Sequence, residues 1–135
     1  MANEPNTVLI VEDSPVQATS IGYHLQQKGL CVVYAPDGQA GVYLAKRYLP
    51  DAIILDLEMP RMNGLEACRQ LKADPKTADI PVIILTLHAD RADLVMSGID
   101  EGAIDFIPKD SFADAVLLET LRGLGVLGAE PNAKE

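Results

Sequence analysis

Ala52-Ile53-Ile54-Leu55-Asp56-Leu57-Glu58-Met59-Pro60-Arg61-Met62-Asn63-Gly64 is the stretch on which the fold turns. The apolar run 52–55 leads without interruption into Asp56, and a loop carrying Pro60 and Gly64 follows. A short, continuous run of Ile and Leu suits a strand buried on both faces, which implies a parallel sheet covered by helices. An acid just past such a strand stands at the sheet edge, where open α/β sheets bind and react with ligands. The same pattern recurs outward in both directions. Glu12 and Asp13 follow Val8-Leu9-Ile10-Val11, Thr86 follows Val82-Ile83-Ile84-Leu85, and Lys109 follows Phe106-Ile107-Pro108.

Runs at 8–11, 30–35, 52–55, 82–85 and 103–107 therefore read as five strands, and the stretches between them are long enough for crossover helices. Ser14-Pro15-Val16-Gln17 offers an N-cap serine, proline at the first helical position and Gln three residues after the cap. That helix extends to about Lys28, with Gly29 as its left-handed stop. A second helix covers Asp37 to Tyr48 and ends before Pro50, although the interior Gly41 weakens it. Asn63 to Ala73 forms the third, with Leu65, Cys68 and Leu71 on one face, and Asp90 to Glu101 the fourth, with Val95 and Ile99 inward and Gly102 as its stop. Ser111-Phe112-Ala113-Asp114 reads as a second capping box, opening a fifth helix to about Arg122.

Strict βα alternation without repeats predicts an α/β fold: three layers, doubly wound, with a five-stranded parallel sheet in order 2-1-3-4-5 and five helices. One domain over 7–127 is expected, with flexible ends at 1–6 and 128–135. In that order the ends of strands one and three lie side by side, which brings Glu12, Asp13 and Asp56 together.

Composition narrows the function. The 135-residue chain carries a net charge of −9, and its 11 basic residues form no run, which argues against direct contact with nucleic acid. No apolar run approaches the ~20 residues needed to span a bilayer, and the polar stretch Met1–Thr7 is not a secretory signal. The two cysteines, Cys31 and Cys68, match no metal or redox spacing and sit in apolar contexts, so both are expected as buried free thiols. A soluble protein in a reducing cytoplasm is the expectation, with no membrane partner.

The chemistry follows from charge. Three crowded carboxylates repel each other, and either a hard cation such as Mg²⁺ or the ammonium of Lys109 relieves them. An Asp carboxylate is also a competent nucleophile toward a phosphoryl group, and phosphoryl transfer needs mostly positioning and charge neutralisation. On this reading Asp56 accepts the phosphoryl group, and Lys109 and the Thr86 hydroxyl hold its oxygens. Taken singly, each residue has a plainer reading as turn, strand end or surface charge; together, at successive strand ends, they do not.

Val11-Glu12-Asp13-Ser14, the run Leu55–Gly64 around Asp56, Ile83-Ile84-Leu85-Thr86 and Asp105-Phe106-Ile107-Pro108-Lys109 resemble the two-component response-regulator receiver domain, of the flavodoxin-like, CheY-like superfamily, over residues 7 to about 127. The resemblance implies that Asp56 takes phosphate from a phosphohistidine of a sensor histidine kinase or from a phosphotransfer protein. It implies Mg²⁺, or Mn²⁺ in its place, held by Asp13, Asp56 and the backbone carbonyl of Glu58, with Glu12 acting through water. It implies that Thr86 and Phe106 form a switch, Thr86 moving inward and Phe106 packing into the vacated space. Phe106 lacks the hydroxyl of the tyrosine often found there, so such a switch works by packing alone.

The resemblance also implies that Glu58, Leu87 and His88 occupy positions that tune hydrolysis of the acyl phosphate. A bulky Leu87 restricts water, while Glu58 is placed to orient one, so the sign stays open; His88 also reads simply as an exposed loop residue. The family often has Pro after the Lys and a small residue after the Thr. Here Asp110 follows Lys109 and Leu87 follows Thr86, so the last loop is expected to differ and Leu87 to narrow access. The surface of helix four, strand five and helix five is where relatives dimerise or bind targets, so a homodimer or an unknown downstream protein is the expected partner. Such a chain is a signalling receiver rather than an enzyme, catalysing only its own phosphorylation and dephosphorylation. Three alternatives remain beside it. A haloacid-dehalogenase-like phosphatase uses an Asp with a second acid two residues on, a flavin module shares the architecture, and a pseudo-receiver binds partners without phosphorylation.

Overall fold

A computed structural model describes residues 6–59 and 62–128. Five strands alternate with five helices: β1 Thr7–Val11, α1 Pro15–Gln27, β2 Cys31–Ala35, α2 Gly38–Tyr48, β3 Ala52–Asp56, α3 Gly64–Ala73, β4 Val82–Thr86, α4 Ala92–Asp100, β5 Asp105–Pro108 and α5 Ala113–Gly123. The sheet is parallel throughout, in order β2-β1-β3-β4-β5, as expected. The expected flexible ends fall mostly outside the described residues; Asn6, at the boundary, donates its side-chain amide to the Val126 carbonyl at 2.6 Å.

Alternate residues of each strand feed opposite cores. Leu9, Val11, Ile53, Leu55, Val82 and Ile84 pack with Val42 and Ala45 of α2 and Ala67, Cys68 and Leu71 of α3. Val8, Ile10, Ile54, Ile83, Leu85 and Ile107 pack with Leu25 of α1 and Leu117 and Leu121 of α5. This double-sided burial explains the uninterrupted apolar runs. Gly41, the weak point in the sequence reading of α2, is a packing residue: a Cβ there would lie 2.7 Å from Val11 Cγ2, so its absence lets α2 lie close on β1.

The caps follow the side chains nearest each helix start. Ser14, Asp37 and Asn63 accept from Gln17, Ala40 and Glu66 backbone N–H groups. α2 ends with Leu49 in the left-handed region (φ 48°), because Pro50 bars the helical conformation before it.

Three expectations are corrected. The capping box at Ser111 does not form: α5 starts at Ala113 with Phe112 at the N-cap and no side-chain cap, because Asp110 turns the chain first, accepting from the Phe112 N–H at 2.9 Å. Ile99 points outward at 51% exposure, and α4 buries Gly98 instead, against Phe106. Cys68 is a buried free thiol, but Cys31 is exposed, because β2 is an edge strand covered only in part.

Candidate functional site

Strand register brings the polar residues together. Val11 pairs with Leu55, so Glu12 emerges level with Asp56. Asp56 pairs with Leu85, which places Thr86 one step on, and Thr86 pairs with Pro108. The Lys109 N–H then donates to the Thr86 carbonyl at 2.9 Å, which turns the lysine side chain back over the sheet end. The loop after β3 is closed by the Gly64 N–H donating to the Leu57 carbonyl at 3.1 Å. A Cβ on Gly64 would stand 2.8 Å from the Asp56 carbonyl oxygen and 2.9 Å from Leu57 Cα, so only glycine lets α3 begin this close to the acid. Pro60 and Arg61 lie outside the described residues.

Lys109 is the centre of charge. Its ammonium donates to Asp56 Oδ1 at 2.6 Å and stands 3.5 Å from Glu12 Oε1. The Glu58 N–H also donates to Asp56 Oδ1, at 3.2 Å. Burial pulls the lysine pKa down, but the hydrogen bond to Asp56 and the charges of Asp56, Glu12 and Glu58 outweigh it, so it ends above the ordinary value. The Glu12 pKa is pushed up to about 7. Burial is the largest cause, and the neighbouring Asp56 adds to it. The Ser14 N–H and Lys109 pull the other way without prevailing.

Glu12, Asp13 and Asp56 offer oxygens that all lie within 4.8 Å of one another, with Glu12 and Asp56 buried and Asp13 exposed. Glu12 Oε1 is buried without a hydrogen-bond partner among the described residues. A buried carboxylate oxygen left unbonded is costly, and an all-oxygen set of acids is what a hard divalent cation takes. The donor set therefore fits Mg²⁺.

Glu58 is the residue whose part the sequence least foretold. Its carboxylate does not face the acids; it accepts from the Thr86 hydroxyl at 2.5 Å and from the Leu87 N–H at 3.1 Å. The Thr86 oxygen in turn accepts from the His88 N–H at 2.9 Å. Thr86 is fully buried, while Leu87 and His88 are exposed. Phe106, in β5, packs against α4: a Cβ at Gly98 would fall 2.0 Å from its Cζ, so the missing side chain forms the ring's seat. A glycine inside a helix is the one sequence signal that points to such a close approach.

A family model for the response regulator receiver domain matches residues 8–122. Protein PilH of Pseudomonas aeruginosa is 38% identical over 117 residues, 87% of this chain and 95% of PilH. The DNA-binding dual master transcriptional regulator RpaA of Synechocystis is 38% identical over 102 residues, 76% of this chain but only 42% of RpaA, so the chain spans less than half of that relative. Among solved structures, the receiver domain of a sensor histidine kinase from Pseudomonas aeruginosa has a magnesium ion coordinated in its active site cleft. It matches with a TM-score of 0.81 at 32% identity, over 90% of this chain and 98% of that one. The chain belongs to the response-regulator receiver domain family of two-component signalling, with the five-stranded CheY-like fold.

Proposed function

We propose that the chain is a phosphorylation-driven receiver in which Asp56 takes a phosphoryl group from a histidine-kinase phosphohistidine or a phosphotransfer protein. The observation that carries this is the Lys109 ammonium 2.6 Å from Asp56 Oδ1, at the rim of an acid cluster with one unbonded buried oxygen on Glu12. Lys109 and Glu58 N–H both bond Oδ1, so we assign Oδ2 to the attack on phosphorus. The new bond joins Oδ2 to phosphorus; the bond from phosphorus to the donor imidazole nitrogen breaks, and its electron pair leaves with the imidazole. Asp13, Asp56 and the Glu58 carbonyl would hold Mg²⁺ (or Mn²⁺), with Glu12 acting through water, and the ion supplies charge neutralisation for the transferring oxygens. Lys109 holds one phosphoryl oxygen and Thr86 another.

A groove between α1 and α5, lined by Gln17, Ile21, Leu87, Lys109, Asp114 and Leu117, opens beside Lys109 and supports approach of a donor from that side. The output reading rests on Met96, Ile99, Ile104 and Val116, exposed apolar side chains on the α4, β5 and α5 face, which suit a homodimer or a target protein. Phe106, seated at Gly98 on the same face, follows the state of Thr86 by repacking on this reading. A normal downstream response from phosphorylated Phe106→Ala would remove that role. No chemistry beyond the chain's own phosphorylation and dephosphorylation is proposed, and the cytoplasm is the proposed location; no helix among the described residues is long and apolar enough to cross a membrane.

The test is intact mass after incubation with Mg²⁺ and acetyl phosphate. Wild-type protein gains one phosphoryl group, and EDTA or Asp56→Asn abolishes the gain. No gain, with acetyl phosphate and with a phosphorylated histidine kinase alike, leaves the pseudo-receiver.

A further inference from the structure

Glu58 holds two donors at the end of β4 with one carboxylate, one oxygen to each. The Thr86 hydroxyl has a single proton to give. Because the Thr86 oxygen accepts from the His88 N–H, that proton is directed to Glu58. Thr86 is fully buried, so its hydroxyl does not turn to bulk water instead. Glu58 is tied at the same time to the acid site, through its own N–H on Asp56 Oδ1. The two strand ends are themselves joined by the Leu57 N–H donating to the Leu85 carbonyl at 2.8 Å. A phosphoryl group on Asp56 would bring a second anion, with three acceptor oxygens and about −1.5 to −2 charges, to the same two donors. The hydroxyl cannot serve both anions, and two like charges at one pair of donors repel.

We propose that the Glu58 carboxylate is an internal stand-in for the phosphoryl group. It occupies Thr86 Oγ1 and the Leu87 N–H in the unphosphorylated protein, and the phosphoryl group must displace it before Thr86 can bind. Glu58 is thus a positioning residue that acts through Thr86, and its hold sets the threshold of the switch. The proposal rests on Asp56 as phosphoacceptor and Thr86 as its ligand. It differs from a role for Glu58 in orienting the hydrolytic water, which would alter only the lifetime of the acyl phosphate.

The experiment compares wild type, Glu58→Gln and Glu58→Ala in two measurements. The first is the Leu87 amide resonance, observed without phosphodonor. It moves upfield in Glu58→Ala and part of the way in Glu58→Gln, which keeps an acceptor but not the charge. The second is the affinity for beryllofluoride, an anion that mimics the phosphoryl group, in the presence of Mg²⁺. Glu58→Ala binds it about tenfold more tightly, the change expected when one charge-assisted bond no longer has to be broken, and Glu58→Gln lies between. A fold defect alone would weaken binding, not tighten it. An unmoved Leu87 amide, or an affinity equal to or below that of wild type, overturns the displacement while leaving Asp56 as phosphoacceptor. A wild type that binds no beryllofluoride and gains no phosphoryl group overturns the receiver reading, and the displacement with it.

Discussion

Replacing Glu12 by Gln should make the metal-free protein more stable at neutral and alkaline pH, although it removes a charge beside a lysine. The Glu12 carboxyl has its pKa raised from 4.5 to about 7, so the folded protein holds that proton more tightly than the unfolded chain does. The native state therefore enjoys the full stabilisation below pH 4.5, loses it as the pH rises through 7, and levels off beyond. At 1.36 kcal/mol per unit, the loss amounts to about 3 kcal/mol. For a domain of this size it should lower the melting temperature by on the order of 10 °C. Glu12→Gln is neutral throughout and should show none of this slope. The assay is thermal or urea unfolding of both proteins in EDTA at intervals from pH 5 to pH 8. Wild type falls steadily and the variant stays nearly flat, so the two diverge toward pH 8. Mg²⁺ should then reverse the order above pH 7, because a cation needs its ligands deprotonated and stabilises the charged form of the cluster. Parallel pH profiles for the two proteins in EDTA would refute the reasoning, since the burial of Glu12 beside Asp56 would then cost nothing.

Lys109→Met leaves Asp56 and Glu12 buried without their ammonium, and metal-free stability should drop by about 3–5 kcal/mol, with part of the loss recovered by Mg²⁺ in the same unfolding assay. Gly98→Ala puts a Cβ 2.0 Å from the Phe106 ring; it should cost about 1–3 kcal/mol, and Phe106→Leu in the same chain should return most of it. An undiminished cost in the double variant would mean that the ring is not what Gly98 accommodates. Gly64→Ala forces a Cβ against the backbone of Asp56 and Leu57, and should slow phosphorylation by acetyl phosphate as well as lower stability. Unchanged phosphorylation would show that the loop tolerates the shift.

Much of the fold was legible because each strand carries its signal locally. Runs such as Val82–Leu85 are apolar on both faces only because helices cover both faces of the sheet, and that in turn makes the strands parallel. The cap at Ser14 was visible too, since a cap is a contact across three residues, whereas Asp37 and Asn63, read only as helix starts, are caps in the structure. Ser111 misled because the same local chemistry was available one residue earlier, at Asp110, and the turn it forms came first. Cys31 and Ile99 misled for another reason: an apolar residue in a regular element is buried only where a neighbouring element covers it. β2 is an edge strand, and on α4 it is Leu94 and Gly98, not Ile99, that turn inward.

The sequence by itself determined that acids, hydroxyl and amine would stand at the ends of adjacent parallel strands, because strand order and register place the last residue of each run at one edge. What only the tertiary structure decided is how those groups share their protons and charges. Glu12 titrates near 7 because it is buried against Asp56, and Glu58 turns from the acids to Thr86 and Leu87. Both depend on distances of a few ångströms between residues far apart in the chain, and burial and hydrogen bonding change steeply over such distances, where residue spacing carries no information.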